Sequence, residues 1–200
     1  MGYLKLLFIP FMILAGFNIP GSNPQPVQWL ITKGCSLKVD GSTNVNKFSC
    51  IISEIYRPDT LTLYRGADPR STTVAGSLRI DVRDFNCNNP VMTGDLRKTL
   101  KSKEFPQMVI RFISLRGYQD YNEKLYAMNG IVSIELAGVA KKFNIAYTIS
   151  PAGKNTFALK GVKQINFSDF NIVPPRKVGG MIQTSDKLII EFALAMQVLD

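Results

Sequence analysis

The sequence predicts a mainly β protein whose antiparallel sheet curls into a barrel, with one short amphipathic helix plugging an end or covering a seam. Apolar and polar residues alternate along segments 78–83, 132–136, 143–149 and 188–198, as strands with one buried and one solvated face require. Short runs of turn-forming residues separate the predicted strands, which favours antiparallel neighbours. These runs are Asp40-Gly41, Arg65 to Pro69, Arg116-Gly117, Ala137-Gly138, Pro151 to Gly153 and Pro174-Pro175. A flat two-sheet sandwich has the same periodicity and stays open as the alternative.

The helix is predicted over about residues 94–104. Thr93 is a suitable N-cap, and Leu96 and Leu100 lie four residues apart on one face. The basic residues of the segment project from the other faces, and Pro106 ends the helix because proline cannot donate the next backbone hydrogen bond.

Composition indicates one globular domain with a real core, because 46% of the 200 residues are apolar and 20% are charged. The net charge of +9 is spread along the chain without a long basic tract. This distribution favours solubility and transient contact with an anionic membrane surface over nucleic-acid binding, so no nucleic-acid partner is predicted.

Residues 1–26 are predicted to be a signal peptide and short linker, followed by a barrel domain over residues 27–200. Lys5 precedes an apolar run over residues 6–17, which is about half of the ~20 residues that span a bilayer. We expect cleavage between about Asn18 and Val27, and a periplasmic or secreted protein. An uncleaved anchor is the alternative, which Pro10 disfavours.

Export would place the three cysteines in an oxidising compartment. Cys50 and Cys87 share a local setting, since each follows a Phe-x pair at the edge of a strand-like run, and we favour this pair as a disulfide. A Cys35–Cys50 bridge across a hairpin is the competing pairing, and three reduced, buried thiols remain a further alternative.

The chain contains no histidine, which excludes Ser-His and Cys-His nucleophile pairs and histidine-based metal sites. Asp81, Asp84, Asp95 and Asp169 could supply a carboxylate pair, but no spacing among them stands out. We therefore predict no catalytic residue, no metal site and no catalytic cofactor. An unrecognised hydrolase is the weakest function class.

Several segments, in the same order, resemble YceI-like domains from about Trp29 to the C-terminus. They are the run Trp29, Ile31, Ser36 and Val39, then Gly41 to Phe48, Gly76 to Ile80, Leu100 to Pro106 leading into Val109 to Phe112, Asn129 to Lys142, and Phe167 to Ile172. The chain departs from the family pattern by lacking histidines in the first strands. Ser168 also stands where many members have the arginine of an Arg-Asp-Phe motif.

The resemblance implies an exported, lipocalin-like antiparallel barrel of about eight strands that holds a long isoprenoid lipid or quinone in its interior, without covalent chemistry. By analogy, Phe105 would turn into the apolar side at the barrel rim. A structural or interaction barrel with a filled core is the alternative function. The residues predicted to face the ligand are Leu78, Ile80, Val82, Ile110, Phe112, Val132, Ile134, Phe143, Ile145, Tyr147, Phe192, Leu194 and Met196.

Overall fold

The structure is a computed structural model that describes residues 25–55, 59–66, 68, 70–118 and 124–199, so residues 1–24 of the predicted leader lie outside it. The described residues form twelve β-strands and one α-helix, α1 (Pro90–Thr99). The strands are β1 (Val27–Ile31), β2 (Cys35–Thr43), β3 (Lys47–Ile55), β4 (Thr60–Arg65), β5 (Ser71–Ala75), β6 (Ser77–Asp81), β7 (Gln107–Arg116), β8 (Tyr126–Leu136), β9 (Val139–Gly153), β10 (Thr156–Asn166), β11 (Arg176–Lys177) and β12 (Ile182–Leu199). No helix in these ranges is long and apolar enough to cross a membrane.

Eight antiparallel strands form a closed ring. In the described part of the chain, β1, β4, β5, β7, β8, β9, β10 and β12 pair in that order, and β1 also pairs with β12. This pairing closes the sheet into a barrel, so the predicted fold class is confirmed and the sandwich alternative is wrong. Two-residue turns join β8 to β9 and β9 to β10, and such short connections require these neighbours to pair antiparallel.

The two ends of the barrel are built differently. At the closed end the ring of eight strands is complete. At the open end, β2 follows β1 in the chain and pairs with β12, and β3 pairs with β2. On the other side of the opening, β6 follows β5 in the chain and pairs with β7. Among the described residues, β3 and the segment after β6 are joined only by an isolated bridge between Ile51 and Asn86 and by a disulfide. Pairing of β9 with β10 also ends before the open end, at Ala146 and Val162.

The disulfide joins Cys50 to Cys87, the pair that the sequence analysis favoured. It ties β3 to the connection that leads into α1. Cys35 is a free, buried thiol that donates to the carbonyl of Thr32 at 3.1 Å, and burial raises the pKa of this thiol. The competing Cys35–Cys50 pairing is therefore wrong, as is the alternative of three reduced thiols.

The helix starts earlier than predicted. Its N-cap is Asn89, whose side chain accepts from the backbone N–H of Met92 at 3.0 Å, and Pro90 occupies the first turn. Asn-Pro is a strong start signal because proline has no N–H to leave unpaired. Thr93 lies inside the helix, where its hydroxyl accepts from the N–H of Cys87 at 3.1 Å, so the predicted cap was wrong.

The helix also ends earlier, at Thr99. Lys101 adopts a left-handed conformation with φ 52°, and the N–H of Ser102 bonds to the Arg97 carbonyl, which closes the last turn well before Pro106. Phe105 lies at the surface, with its ring packed over Gly138, where an added Cβ would come within 2.8 Å of the ring. The expectation that Phe105 turns into the apolar side at the barrel rim was therefore wrong.

Three further details differ from the sequence interpretation. Asp40 and Gly41 lie inside β2, and Pro151 to Gly153 form the end of β9, rather than turns. A side chain at position 41 would clash, because a Cβ added to Gly41 would lie 2.3 Å from the Phe48 ring. Val82 follows β6 in a short 3-10 turn and is fully buried, so the predicted strand over residues 78–83 ends one residue before it.

Candidate functional site

The barrel interior holds two small voids with apolar walls. The first, near the middle, measures about 30 Å³, and the second, nearer the open end, about 50 Å³. Leu37, Ile110 and Ile134 line both voids, so the two are neighbours. Small-ligand pockets usually measure roughly 300–1,000 Å³. Among the described residues, the interior is therefore nearly filled by its own side chains.

The structure brings most of the predicted ligand-facing residues to the first void. Ten of the thirteen line it, while Val82, Phe143 and Met196 line neither void. Phe143 packs instead against Phe170, with ring centroids 5.9 Å apart. Met196 is buried towards the closed end, where it pairs with Ile31 of β1 and Phe157 of β10. The residues at the first void are Leu78, Ile80, Ile110, Phe112, Val132, Ile134, Ile145, Tyr147, Phe192 and Leu194.

Sequence reasoning missed β10, whose inward face also lines the first void. The alternation of this strand is interrupted on the inward side by Gly161 and Lys163. Gly161 lies under the Phe192 ring, where an added Cβ would come within 2.3 Å of a ring carbon. Lys163 reaches the void wall just beyond the point where β9 and β10 cease to pair. Since the wall is apolar, Lys163 contributes its methylene stem there.

Two polar atoms are buried in the barrel without a hydrogen-bond partner among the described residues. They are the Tyr147 hydroxyl and the Trp29 indole Nε1. Tyr147 is a wall residue of the first void and contacts Phe192 edge to face at 5.7 Å, and burial raises the pKa of its phenol. A buried polar atom without a partner typically costs about 1–3 kcal/mol. A ligand oxygen reaching Tyr147 would recover that free energy.

A groove of about 490 Å³ lies at the open end, between the β2–β3 hairpin, α1 and the segment over residues 175–184. Its apolar wall includes Phe48, Met92, Leu96 and Phe167. Leu96 and Phe167 also line the second void. The groove and the two voids therefore form a series of apolar spaces that runs from the open end to the middle of the barrel. A wider, more polar depression of about 680 Å³ lies against another face of α1.

Polar contacts hold the walls of the groove together. Asp95 in α1 forms an ion pair with Lys177, which joins the helix to β11. The Asn44 side chain donates to the Met181 carbonyl at 2.9 Å and accepts from the N–H of Gln183 at 3.0 Å, which joins the hairpin to the same segment. Surface contacts of this kind contribute little stability each. The hairpin is also joined to this segment through the backbone, since Thr43 pairs with Thr184 and the N–H of Asn44 donates to the Gln183 carbonyl at 3.1 Å.

Three of the four carboxylates considered for catalysis, Asp81, Asp95 and Asp169, form ion pairs. Asp81 pairs with Arg83, and Asp169 pairs with Lys141. The Lys141 hydrogen bond is the main cause that lowers the pKa of Asp169. Ser168 donates through its N–H and hydroxyl to Asp186 at 2.9 and 2.6 Å. Within the described residues, no group of three acidic, Cys or His side chains could hold a metal ion.

Neither a protein-family model nor a curated protein matches the sequence. Solved structures do match. Burkholderia cenocepacia BcnA is 15% identical with a TM-score of 0.59, covering 80% of this chain and 95% of its own. A polyisoprenoid binding domain from Saccharophagus degradans, implicated in plant cell wall breakdown, is 11% identical with a TM-score of 0.57, covering 88% of this chain and 100% of its own. The chain shares their fold.

A Campylobacter jejuni YceI protein is also similar, at 17% identity and a TM-score of 0.47, over 68% of this chain and 79% of its own. The Burkholderia and Saccharophagus structures span almost the whole described barrel, and neither is closely similar in sequence. They show that the barrel fold is shared over most of the chain. Identity this low leaves the side chains of the site to be read from this protein itself.

Proposed function

We propose that this chain is a YceI-like binding protein that holds one long apolar lipid of isoprenoid type in its barrel and catalyses no reaction. The observation that carries the proposal is the apolar series of spaces from the groove, past Leu96 and Phe167, to the first void. The fold shared with a polyisoprenoid binding domain over 88% of the chain supports it.

The lipid has to displace interior side chains, because the two voids together hold too little space for it. The side chains that would move are Ile110, Ile190 and Phe192, which line the first void and are only partly buried. Crowding a packed core typically costs about 1–3 kcal/mol. Each buried methylene-sized group of the lipid contributes about 0.8 kcal/mol, so three or four isoprene units outweigh that cost. After association costs at the low end of their range, of about 4 kcal/mol, the balance can reach the ~8 kcal/mol of micromolar binding.

Tyr147 gives the proposed ligand a polar contact. An isoprenoid quinone or alcohol carries an oxygen that can accept from the buried hydroxyl, whereas a pure hydrocarbon leaves it unpaired. A quinone or prenol should therefore bind more tightly than a hydrocarbon chain of equal length. The tail would lie along the apolar spaces towards Leu96 and the groove.

Carriage or storage outside the cytoplasm is part of the proposal. The predicted leader favours export, and the Cys50–Cys87 disulfide is typical of an oxidising compartment. The protein would then shield an apolar lipid from water after export. Transfer of the lipid to or from a membrane would use the groove, since the groove opens to solvent at the barrel end.

An interaction barrel with a filled core is the second candidate function. The observation that favours it is the size of the voids, about 30 and 50 Å³. In that case the groove would contact a protein, and the core would serve only stability. The two candidates differ in whether lipid leaves the native envelope with the protein.

Mass spectrometry of organic extracts tests this directly. The protein purified from its native envelope should release one isoprenoid lipid species in near-stoichiometric amount. Leu194→Trp fills the first void and should reduce retained lipid, whereas Val162→Trp, on the outer face of the neighbouring strand, should not. No lipid in the wild-type extract, or equal retention by both variants, would favour the interaction barrel.

A further inference from the structure

Four aliphatic side chains protrude around the mouth of the groove. Val45 at the hairpin tip is 64% exposed, Val91 in α1 69%, Val178 64% and Met181 74%. Val45, Val91 and Val178 line the groove, and Asn44 bonds to the carbonyl of Met181, so the four lie on one surface. We call these four residues the apolar rim. Exposed aliphatic side chains are ordinary when scattered, but a cluster at one end of a barrel indicates a contact surface.

The backbone at Val178 supports this interpretation. Val178, Gly179 and Gly180 have successive φ values of 52°, 63° and 96°, all in the left-handed region. A β-branched residue is strained there, and strain of this kind persists where it is part of a function. Neither glycine has an atom within 4 Å of an added Cβ, so the turn stands clear of the barrel wall. The turn presents Val178 and Met181 to solvent.

Basic side chains flank the apolar rim. Lys47 lies two residues after Val45 in the hairpin, and Arg176 lies two residues before Val178. Lys98 lies about two helical turns after Val91 in α1. All three basic side chains are exposed. The acidic Asp95 is neutralised by its ion pair with Lys177. Aliphatic side chains on projecting turns with cations beside them match the interface of an anionic bilayer, where the aliphatic groups insert and the cations meet headgroups.

We infer that the apolar rim docks on the surface of an anionic phospholipid bilayer, with Val178 and Met181 inserted below the headgroups. The groove opens within the same surface, so docking places its apolar wall against the membrane. An apolar ligand could then enter the barrel without crossing water. The inference goes beyond the proposed function and stands apart from it, because docking can be measured without any isoprenoid.

Cosedimentation of the full chain with vesicles tests the docking. The vesicles contain phosphatidylglycerol and phosphatidylcholine in equal parts, or phosphatidylcholine alone. Wild type should bind the anionic vesicles and bind the neutral ones much more weakly. Val178→Glu with Met181→Glu should lower the partition coefficient by about tenfold or more, because insertion is lost and charge is added. Lys47→Gln with Arg176→Gln should lower it roughly fivefold per removed charge, an effect that added salt should mimic.

Leu125→Glu is the matched control, because Leu125 is 69% exposed and lies beside the start of β8, at the closed end of the barrel. It should leave vesicle binding unchanged. All variants share the same N-terminal segment, so differences between them report on the substituted residues. Equal binding by the rim variants and the control, or no preference for anionic vesicles, would overturn the inference. Absence of binding to both kinds of vesicle would also overturn it and would favour a protein as the partner of the apolar rim.

Discussion

The closed and open ends of the barrel are held together by different interactions. At the closed end every strand of the ring pairs with two neighbours, and Trp29 packs edge to face between Tyr118 and Phe157, with centroids 5.5 and 4.9 Å away. At the open end, one bridge, one disulfide and ion pairs replace part of the ladder between the described strands. Hydrogen-bonded ladders and core packing give cooperative stability, whereas ion pairs at a surface give little.

Because of this difference, one end of the barrel can maintain the fold while the other end gives a ligand access to the interior. The complete ring can keep the protein folded while the open end changes shape. The groove, the apolar rim and the shorter β9–β10 pairing all lie at the open end, where local opening requires few broken backbone bonds. Binding sites are often drawn from such regions of low local stability. The following substitutions test whether the two ends do differ in this way.

The largest effect is expected from the disulfide. Replacing Cys50 and Cys87 by Ser removes a crosslink between residues 37 apart, which the chain-entropy model values at about 4 kcal/mol. The free energy of unfolding should fall by about that amount in urea titrations. Limited proteolysis should then begin near residues 83–89, at the freed connection before α1.

Cys35→Ser is the control for this prediction, because Cys35 is a buried cysteine at the closed side of β2 with no crosslink to lose. It keeps a hydrogen-bond donor towards the Thr32 carbonyl and should lose clearly less stability. If the double variant were as stable as the wild type, the disulfide would not be what holds the open end.

A pair of glycine substitutions compares the two ends next. An added Cβ at Gly130 in β8 would lie 2.7 Å from the Tyr147 ring and 2.8 Å from the Ser114 carbonyl oxygen. Gly130→Ala should therefore reduce stability by about 1–3 kcal/mol. Gly94→Ala in α1 meets no atom within 4 Å and should increase stability by about 0.5–1 kcal/mol, since alanine favours helix. Thermal melting curves of both variants would show opposite shifts, and shifts of the same sign would contradict the packing described.

The barrel could be predicted from the sequence because apolar and polar residues alternate clearly along several of its strands. Segments such as Val132 to Leu136 and Phe143 to Ile149 have one apolar face, and β8 and β9 contain them. The strand β10 was missed because Gly161 and Lys163 occupy inward positions. Gly161 makes room for Phe192, a contact between strands distant in sequence, and a single sequence carries no local sign of it.

The site could be predicted only in part, for a similar reason. Alternation identifies which side chains face inward, but the volume left between them depends on how all the strands pack. The groove is built from the hairpin, α1 and the segment after Pro174, which are far apart in sequence. The start of α1, in contrast, has a local signal, because Asn89 can cap the first turn and Pro90 has no N–H to leave unpaired.

Tyr147→Phe probes the interior between the two ends. Removing a buried hydroxyl without a partner should increase the stability of the ligand-free protein by about 1 kcal/mol, because the ring stays and only the unpaired group is lost. The same variant should bind an isoprenoid quinone more weakly and an isoprenoid hydrocarbon equally well. Urea titration and fluorescence competition measure the two effects. A loss of stability would indicate that the hydroxyl already has a partner in solution.

The smallest expected effect concerns the ion pair across the gap between β9 and β10. Asp169 lies in the 3-10 turn after β10, accepts from the N–H of Asn166 at 2.8 Å and pairs with Lys141 of β9. Because Lys141 lowers the pKa of Asp169, the stabilising contribution is fully present above the ordinary pKa of 3.8 and is lost as the pH falls through the lowered value. Lys141 is about half exposed, so Asp169→Asn should cost at most ~1 kcal/mol near neutral pH and should weaken the acid dependence.

Asp40→Asn is the control for Asp169, since Asp40 pairs with Lys38 inside the same strand and its pKa is likewise lowered, chiefly by that lysine. Both variants lose one carboxylate and one ion pair, but only Asp169→Asn removes a contact across the gap between β9 and β10, since Asp40 lies in β2 where that strand is paired with β3. Amide hydrogen exchange should therefore speed up at the open-end halves of β9 and β10 in Asp169→Asn and stay unchanged there in Asp40→Asn. If both variants left exchange in β9 and β10 unchanged while losing similar stability, the ion pair would contribute only general electrostatics. The gap would then be held by the buried contact between Phe143 and Phe170, whose ring centroids lie 5.9 Å apart.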